Sequence, residues 1–367
     1  MFNRDSQLCK KAIGLAAVLV LLVPHLSHGQ TAISAWTLSN TNVAGTSTAY
    51  TPTITFDDQT NTVTSITVAG DVKTIATSAD NVYVRRNGTA AGSGTTAGGA
   101  NIWEVATSAT NLLGTNTGSK TIEDVLLGHN ALMGVNDLFT NTGGTPSVVN
   151  NNIERVDYTW NGGFTVVTDQ GFSIFDRAAS HTAADGFQVA VFTGWNSLTN
   201  APTAYSGNVV EVTAGAGSQY SATGLDWDPT TAGTQSTFSY EILRFTSGDN
   251  LTPLNTTDLL GSGQGIFGVY ISFADLGIAQ GTTVYGYSIM SNDVTNVTAN
   301  LVDWTNTTNY TTSTPDTNGS IDLLGVSGKR WVPEPSTYGA MFLGLGSLLL
   351  GFRRWRLGRL ALSATAA

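Results

Sequence analysis

Residues able to do chemistry are few in this chain, and their spacing rules out most of what they could do. The single cysteine, Cys9, lies ahead of an apolar run near the N-terminus, so the rest of the chain has no disulfide, thiolate metal site or cysteine nucleophile. His129 and His181 are the histidines outside that leader, short of the three or four N/S ligands a zinc site wants. Ser180-His181 are sequence neighbours, a poor geometry for a nucleophile and its base. Gly261-Ser262-Gly263 lacks the spacing of a nucleophile elbow, and the Gly-rich segment 92–99 lacks the lysine of a phosphate loop. Asp226-Trp227-Asp228 would put two carboxylates on one side of an extended segment, the minimum for a polysaccharide hydrolase; a charged turn before Pro229 is the plainer reading. Asp57-Asp58, Asp249-Asn250 and Asn292-Asp293 read as turns whose hard oxygens suit structural calcium, with no EF-hand loop among them. Trp195 and Trp227 sit beside turn residues and are the candidate sugar-stacking rings of a carbohydrate-binding module; hairpin or core packing is the alternative for each.

The two ends carry more pattern. Arg4, Lys10 and Lys11 precede the apolar run Ala12 to Val23, Pro24 breaks it, and Ser27 and Gly29 are small residues at −3 and −1 of a cut before Gln30. Twelve helical residues cover about 18 Å, too short for a hydrocarbon core of ~30 Å, so residues 1–29 read as a secretory signal peptide rather than an anchor. Its partners are then the Sec translocon and signal peptidase. At the other end stand Pro333-Glu334-Pro335, an apolar stretch from Tyr338 to Phe352, and Arg353, Arg354 and Arg356. The apolar stretch is expected to form a short transmembrane helix with Trp331 and Trp355 at its interfaces, and the arginines to hold its far end in the cytoplasm. Residues 357–367 follow as a cytoplasmic tail. Each proline biases its predecessor to extended backbone, so Glu334 is expected on an exposed, strand-like segment.

Proline-flanked glutamate, short apolar segment and arginine cluster together, over residues 332–356, resemble the PEP-CTERM sorting signal of Gram-negative bacteria that make extracellular polysaccharide. The resemblance implies recognition by an exosortase, cleavage at or near Pro333–Pro335, transient anchoring in the inner membrane, and release to the cell surface or matrix. A plain membrane anchor is the alternative. Ser272–Gly277, Tyr285–Asp293 and Asn152–Asp157 are also similar to stretches of PEP-CTERM surface proteins, which implies that residues 100–325 form one family unit. No activity comes with that resemblance.

The elements that must position these residues are β-strands. Only 11% of residues are charged and 41 are glycine; Thr, Gly and Asn disfavour a helical enzyme. Residues 30–335 hold 9 Lys and Arg against 25 Asp and Glu, a net charge of −16 that excludes nucleic acid as a partner. Thr62–Val68, Val82–Val84, Val166–Val167, Phe172–Phe175, Phe187–Phe192, Val209–Val212, Phe238–Ile242 and Tyr285–Ile289 read as strands. Asn161-Gly162-Gly163 reads as a hairpin turn. Thr121-x-x-Asp124 and Ser272–Leu276 are candidate short helices. The expected architecture is an all-β antiparallel sandwich, jelly-roll-like, over residues 30–295. A Thr/Asn-rich stalk would follow over 296–331, dense in Asn-x-Thr/Ser sequons, ahead of the sorting signal. The expected function is a non-catalytic surface or matrix protein associated with exopolysaccharide.

Overall fold

The computed structural model describes residues 30–39, 62–86, 101–105, 121–128, 131, 133–139, 153–178, 184–213, 238–245, 251–253, 261–310 and 321–334. In chain order the strands are β1 (Thr31–Leu38), β2 (Val63–Val68), β3 (Asp71–Ser78), β4 (Asn81–Arg86), β5 (Asn101–Val105), β6 (Met133–Val135), β7 (Ile153–Thr165), β8 (Gly171–Ala178), β9 (Phe187–Asn196), β10 (Ala201–Val212), β11 (Phe238–Phe245), β12 (Leu251–Pro253), β13 (Gly261–Ser272), β14 (Thr283–Met290) and β15 (Lys329–Pro333). One short helix, α1 (Ile122–Leu127), and a 3-10 turn at Thr298–Asn300 complete the described elements. Every strand pairing is antiparallel.

Two sheets result. The smaller has the order β10-β9-β14-β7-β4. In the larger, β1 pairs with both β2 and β13, so that β1-β2-β3-β15-β8-β13 closes into a ring of six strands, from which β11, β5 and β6 continue. One apolar core serves both sheets: Phe172 of β8 stacks on Tyr287 of β14 with ring centroids 3.9 Å apart, and Val156, Tyr158, Val189, Val191 and Ile289 join Ile174, Val269 and Trp331 in it. Alternation along β7, β9 and β14 sends these residues inward and sends Arg155, Asp157, Gln188, Ser288 and Met290 to the opposite face.

Local rules explain several elements. The capping box forms at α1: Thr121 Oγ1 accepts from Asp124 N at 3.2 Å, and Asp124 Oδ2 accepts from Thr121 N at 2.7 Å. Ser272 and Asp275 make the same exchange, but Gly277, at a φ of 68°, ends that segment as a turn rather than the expected helix. Asn161-Gly162-Gly163 is not a hairpin turn. It lies inside β7 as a bulge, because Thr159 and Phe164 both pair on β14, opposite Gly286 and Val284. Trp160 and Phe164 flank it edge to face at 5.2 Å. Val166–Val167 fall just beyond β7.

The expected stalk is the largest correction. Residues 291–310 lie over the outer face of the smaller sheet, where Val294, Leu301 and Tyr310 bury against Ala190 and Met290. Residues 321–329 are all buried, and β15 is an interior strand. The described residues 296–310 and 321–331 therefore belong to the packed unit. A stalk needs only polar composition, whereas here sparse apolar residues at useful spacings cover faces that the strands leave open.

Candidate functional site

The processing motif begins where the last strand leaves the ring. Gly328, at a φ of 74°, turns the chain into β15, and a Cβ there would lie 2.6 Å from the Tyr158 ring. Within β15, Trp331 is fully buried and its indole N–H donates to Ser173 Oγ at 2.7 Å. Lys329 is buried and donates to Thr62 Oγ1, and that burial pulls its ammonium down to a pKa of about 8. Arg330 lies 4.3 Å from the Phe164 ring centroid and donates to Thr77 Oγ1 at 3.2 Å. β3 pairs with all five residues of β15; β8 pairs with Arg330 and Trp331 only.

Pro333 fits this end of the strand for a physical reason. Glu334 N–H donates to Val72 O at 3.1 Å, so the preceding pair, Pro333 and Lys73, exchanges no ladder bond. The N–H that proline lacks would face the side where β8 has already stopped pairing. Pro333 and Glu334 are both exposed. Pro335, the apolar stretch 338–352 and Arg353, Arg354 and Arg356 lie outside the described residues, as do Ser27, Gly29, Trp227, Asp226, Asp228, His129 and His181. Among the described residues no helix is long and apolar enough to cross a membrane.

Trp195 is described. It lies half-buried near the end of β9, 5.5 Å from the Phe192 ring in a stacked arrangement and 5.6 Å from Tyr83. Those rings adjoin a polar network. Asp157, fully buried, is ion-paired with Arg155, whose Nε lies 2.7 Å away and whose Nη2 donates to Oδ2 at 3.1 Å, and it accepts from Arg85 Nε at 2.7 Å and Ser288 Oγ at 2.6 Å. Tyr205 and Ser288 share a 2.7 Å hydrogen bond. Trp304, from the supposed stalk, lies across both guanidinium groups at 4.8 and 5.1 Å. Burial works against the Arg155 charge, but the Asp157 carboxylate beside it overcomes that and holds its proton more firmly than in a free guanidinium. The alternating Arg155-Val156-Asp157 was the available signal, since charges at i and i+2 share one face of a strand.

A second cluster ties residues 321–324 to β8. Asp322 N donates to Asp176 Oδ1 at 2.9 Å, Arg177 reaches Asp322 Oδ2 and Asn136 Oδ1, and Asp137 N donates to Asp322 Oδ1 at 2.8 Å. Burial, reinforced by Asp322, pushes the Asp137 carboxyl up to about 7. Burial, with Asp185 and Asp322 nearby, pushes Asp176 well above the ordinary carboxylate range. Among the described residues no three His, Cys, Asp or Glu side chains are grouped to hold a metal ion.

Both networks bind together parts of one fold. The exposed exit of β15 is what the geometry presents outward with a sequence motif on it. No protein-family model, curated protein or solved structure matches the chain.

Proposed function

We propose that the chain is an exported, non-catalytic surface or matrix protein. Its C-terminal segment 332–356 is a sorting signal cut by an exosortase at Pro333-Glu334-Pro335. Residues 1–29 are removed by signal peptidase after Sec export from a Gram-negative cytoplasm. The passenger is a jelly-roll-like sandwich variant in which the six-strand ring and the five-stranded sheet enclose one core, and exopolysaccharide is its expected surroundings.

The supporting observation is the state of Glu334. It follows the last ladder pair of β15, is exposed, and donates its N–H to Val72 O. A protease substrate is held extended, and two flanking prolines order that shape before binding. Expression of the full chain with and without a cognate exosortase, followed by intact mass, tests the proposal. The expected product lacks everything beyond residues 333–335 only when the enzyme is present; an intact C-terminus in both cultures overturns it.

A further inference from the structure

We propose that docking of β15 controls access to the processing motif: the chain is cut with the end of β15 out of the sheet and is shielded with β15 in it. This rests on the sorting reading of residues 332–356 and adds a condition on when the cut can occur.

Enzymes that cut an extended peptide bind its backbone by adding it to one of their own strands, which needs a free edge on the residues around the bond. Residues 329–333 have no such edge along their first half. β3 occupies one side from Lys329 to Pro333, and β8 occupies the other at Arg330 and Trp331. The next backbone donor, Glu334 N–H, is engaged by Val72 O. Side chains also hold the strand, with Trp331 fully buried on Ser173 and Lys329 enclosed beside Thr62.

The other side of the motif gives no slack. Only Pro335, Ser336 and Thr337 separate Glu334 from the apolar stretch that starts at Tyr338. Four steps of extended chain span about 13 Å, against a radius of gyration of roughly 19 Å for a domain of this size. A membrane enzyme reaching the motif therefore meets the folded ring next to it, with no spacer in between. Release of a five-residue strand end is a local opening, which proteins sample far more often than global unfolding.

Thr74 and Val332 are direct partners across β3 and β15. Opposed residues of this kind sit roughly 5.5 Å apart, within disulfide range. Thr74→Cys with Val332→Cys in a Cys9→Ser background is thus a reversible lock on β15. In the full chain in detergent micelles, trypsin cutting at Arg330–Trp331, followed by mass, is expected to be at least tenfold slower oxidised than reduced. In membranes carrying the exosortase, loss of the C-terminus is expected only after reduction. Trp331→Phe keeps the ring and removes the Ser173 hydrogen bond; it should raise both cutting rates several-fold, giving a second test that needs no disulfide. Equal exosortase cutting of locked and reduced chains overturns the gate while leaving the sorting reading intact. If the C-terminus survives the exosortase in locked, reduced and unmodified chains alike, the sorting reading falls and the gate falls with it.

Discussion

Replacing Asp157 with asparagine keeps the side-chain volume and removes one charge from the outer face of the smaller sheet. In the native fold that carboxylate is fully buried and takes Arg155 at 2.7 Å, Arg85 at 2.7 Å and Ser288 at 2.6 Å. Arg155 is itself 0% exposed, and its other partners are neutral, Tyr310 and the Leu301 carbonyl. Asp157→Asn therefore strands a buried cation, a loss of about 3–5 kcal/mol. Arg85 keeps 11% of its side chain in water and adds no more than about 1 kcal/mol. Domains are stable by roughly 5–15 kcal/mol, and urea slopes for a chain this long are about 3 kcal/mol/M or more. The urea midpoint should fall by about 1 M, read by tryptophan fluorescence. Replacing both partners, Arg155→Met with Asp157→Leu, should recover most of the loss, because the fully buried cation is then gone and only Arg85, which reaches water, loses its partner. A single-variant loss under about 1 kcal/mol, or a double variant no better than the single, would refute the claim that this pair is held by mutual compensation.

Two further predictions concern pH. Asp137 carries a raised folded pKa of about 7, so the folded state keeps a proton that the unfolded chain gives up near pH 4; stability should fall as pH rises from about 4 to 7. Asp137→Asn should flatten that slope, leaving the part due to Asp176 and Asp322, and raise stability at pH 8 by about 1–4 kcal/mol, since asparagine also accepts the local φ of 48°. Thermal melts across pH 4–8 decide it, and a lower melting point at pH 8 counts against the assignment. Lys329 has the opposite sign. Its folded pKa of about 8 lies below the unfolded 10.5, so the buried cation costs stability at neutral pH and the cost disappears as pH rises from about 8 to 10.5. Lys329→Met should thus stabilise the fold by about 1–3 kcal/mol at pH 7 and by progressively less toward pH 10; a difference independent of pH would reject the assignment.

Much of the local structure was legible in the residues. Strict alternation at Tyr285–Ile289 gave β14, and the Thr121/Asp124 pair gave α1, because strand faces and caps depend on neighbours in sequence. What stayed hidden was non-local. Residues 296–331 look like a polar tether by composition, yet in the described parts, 296–310 and 321–331, a handful of apolar side chains, Leu301, Tyr310, Ile321, Leu323 and Trp331, pack onto faces that await cover. The Gly162-Gly163 pair has the chemistry of a turn, and only the shared partner β14 makes it a bulge. Arg155 and Asp157 resemble a solvent face in a strand pattern; the lid formed by residues 291–310 is what puts them inside.

The hydrogen bond from Lys329 to Thr62 joins groups 267 residues apart in the chain. Thr31 likewise waits for Tyr270 before β1 can close on β13. Such distant pairings make folding slow, because a large loop entropy is lost before the contact can form. On the export proposed above, slowness is useful: the chain stays passable until the partners of its first strand have emerged. The same delay leaves strand edges unpaired until their partners are available, and until then neighbouring copies can pair with them.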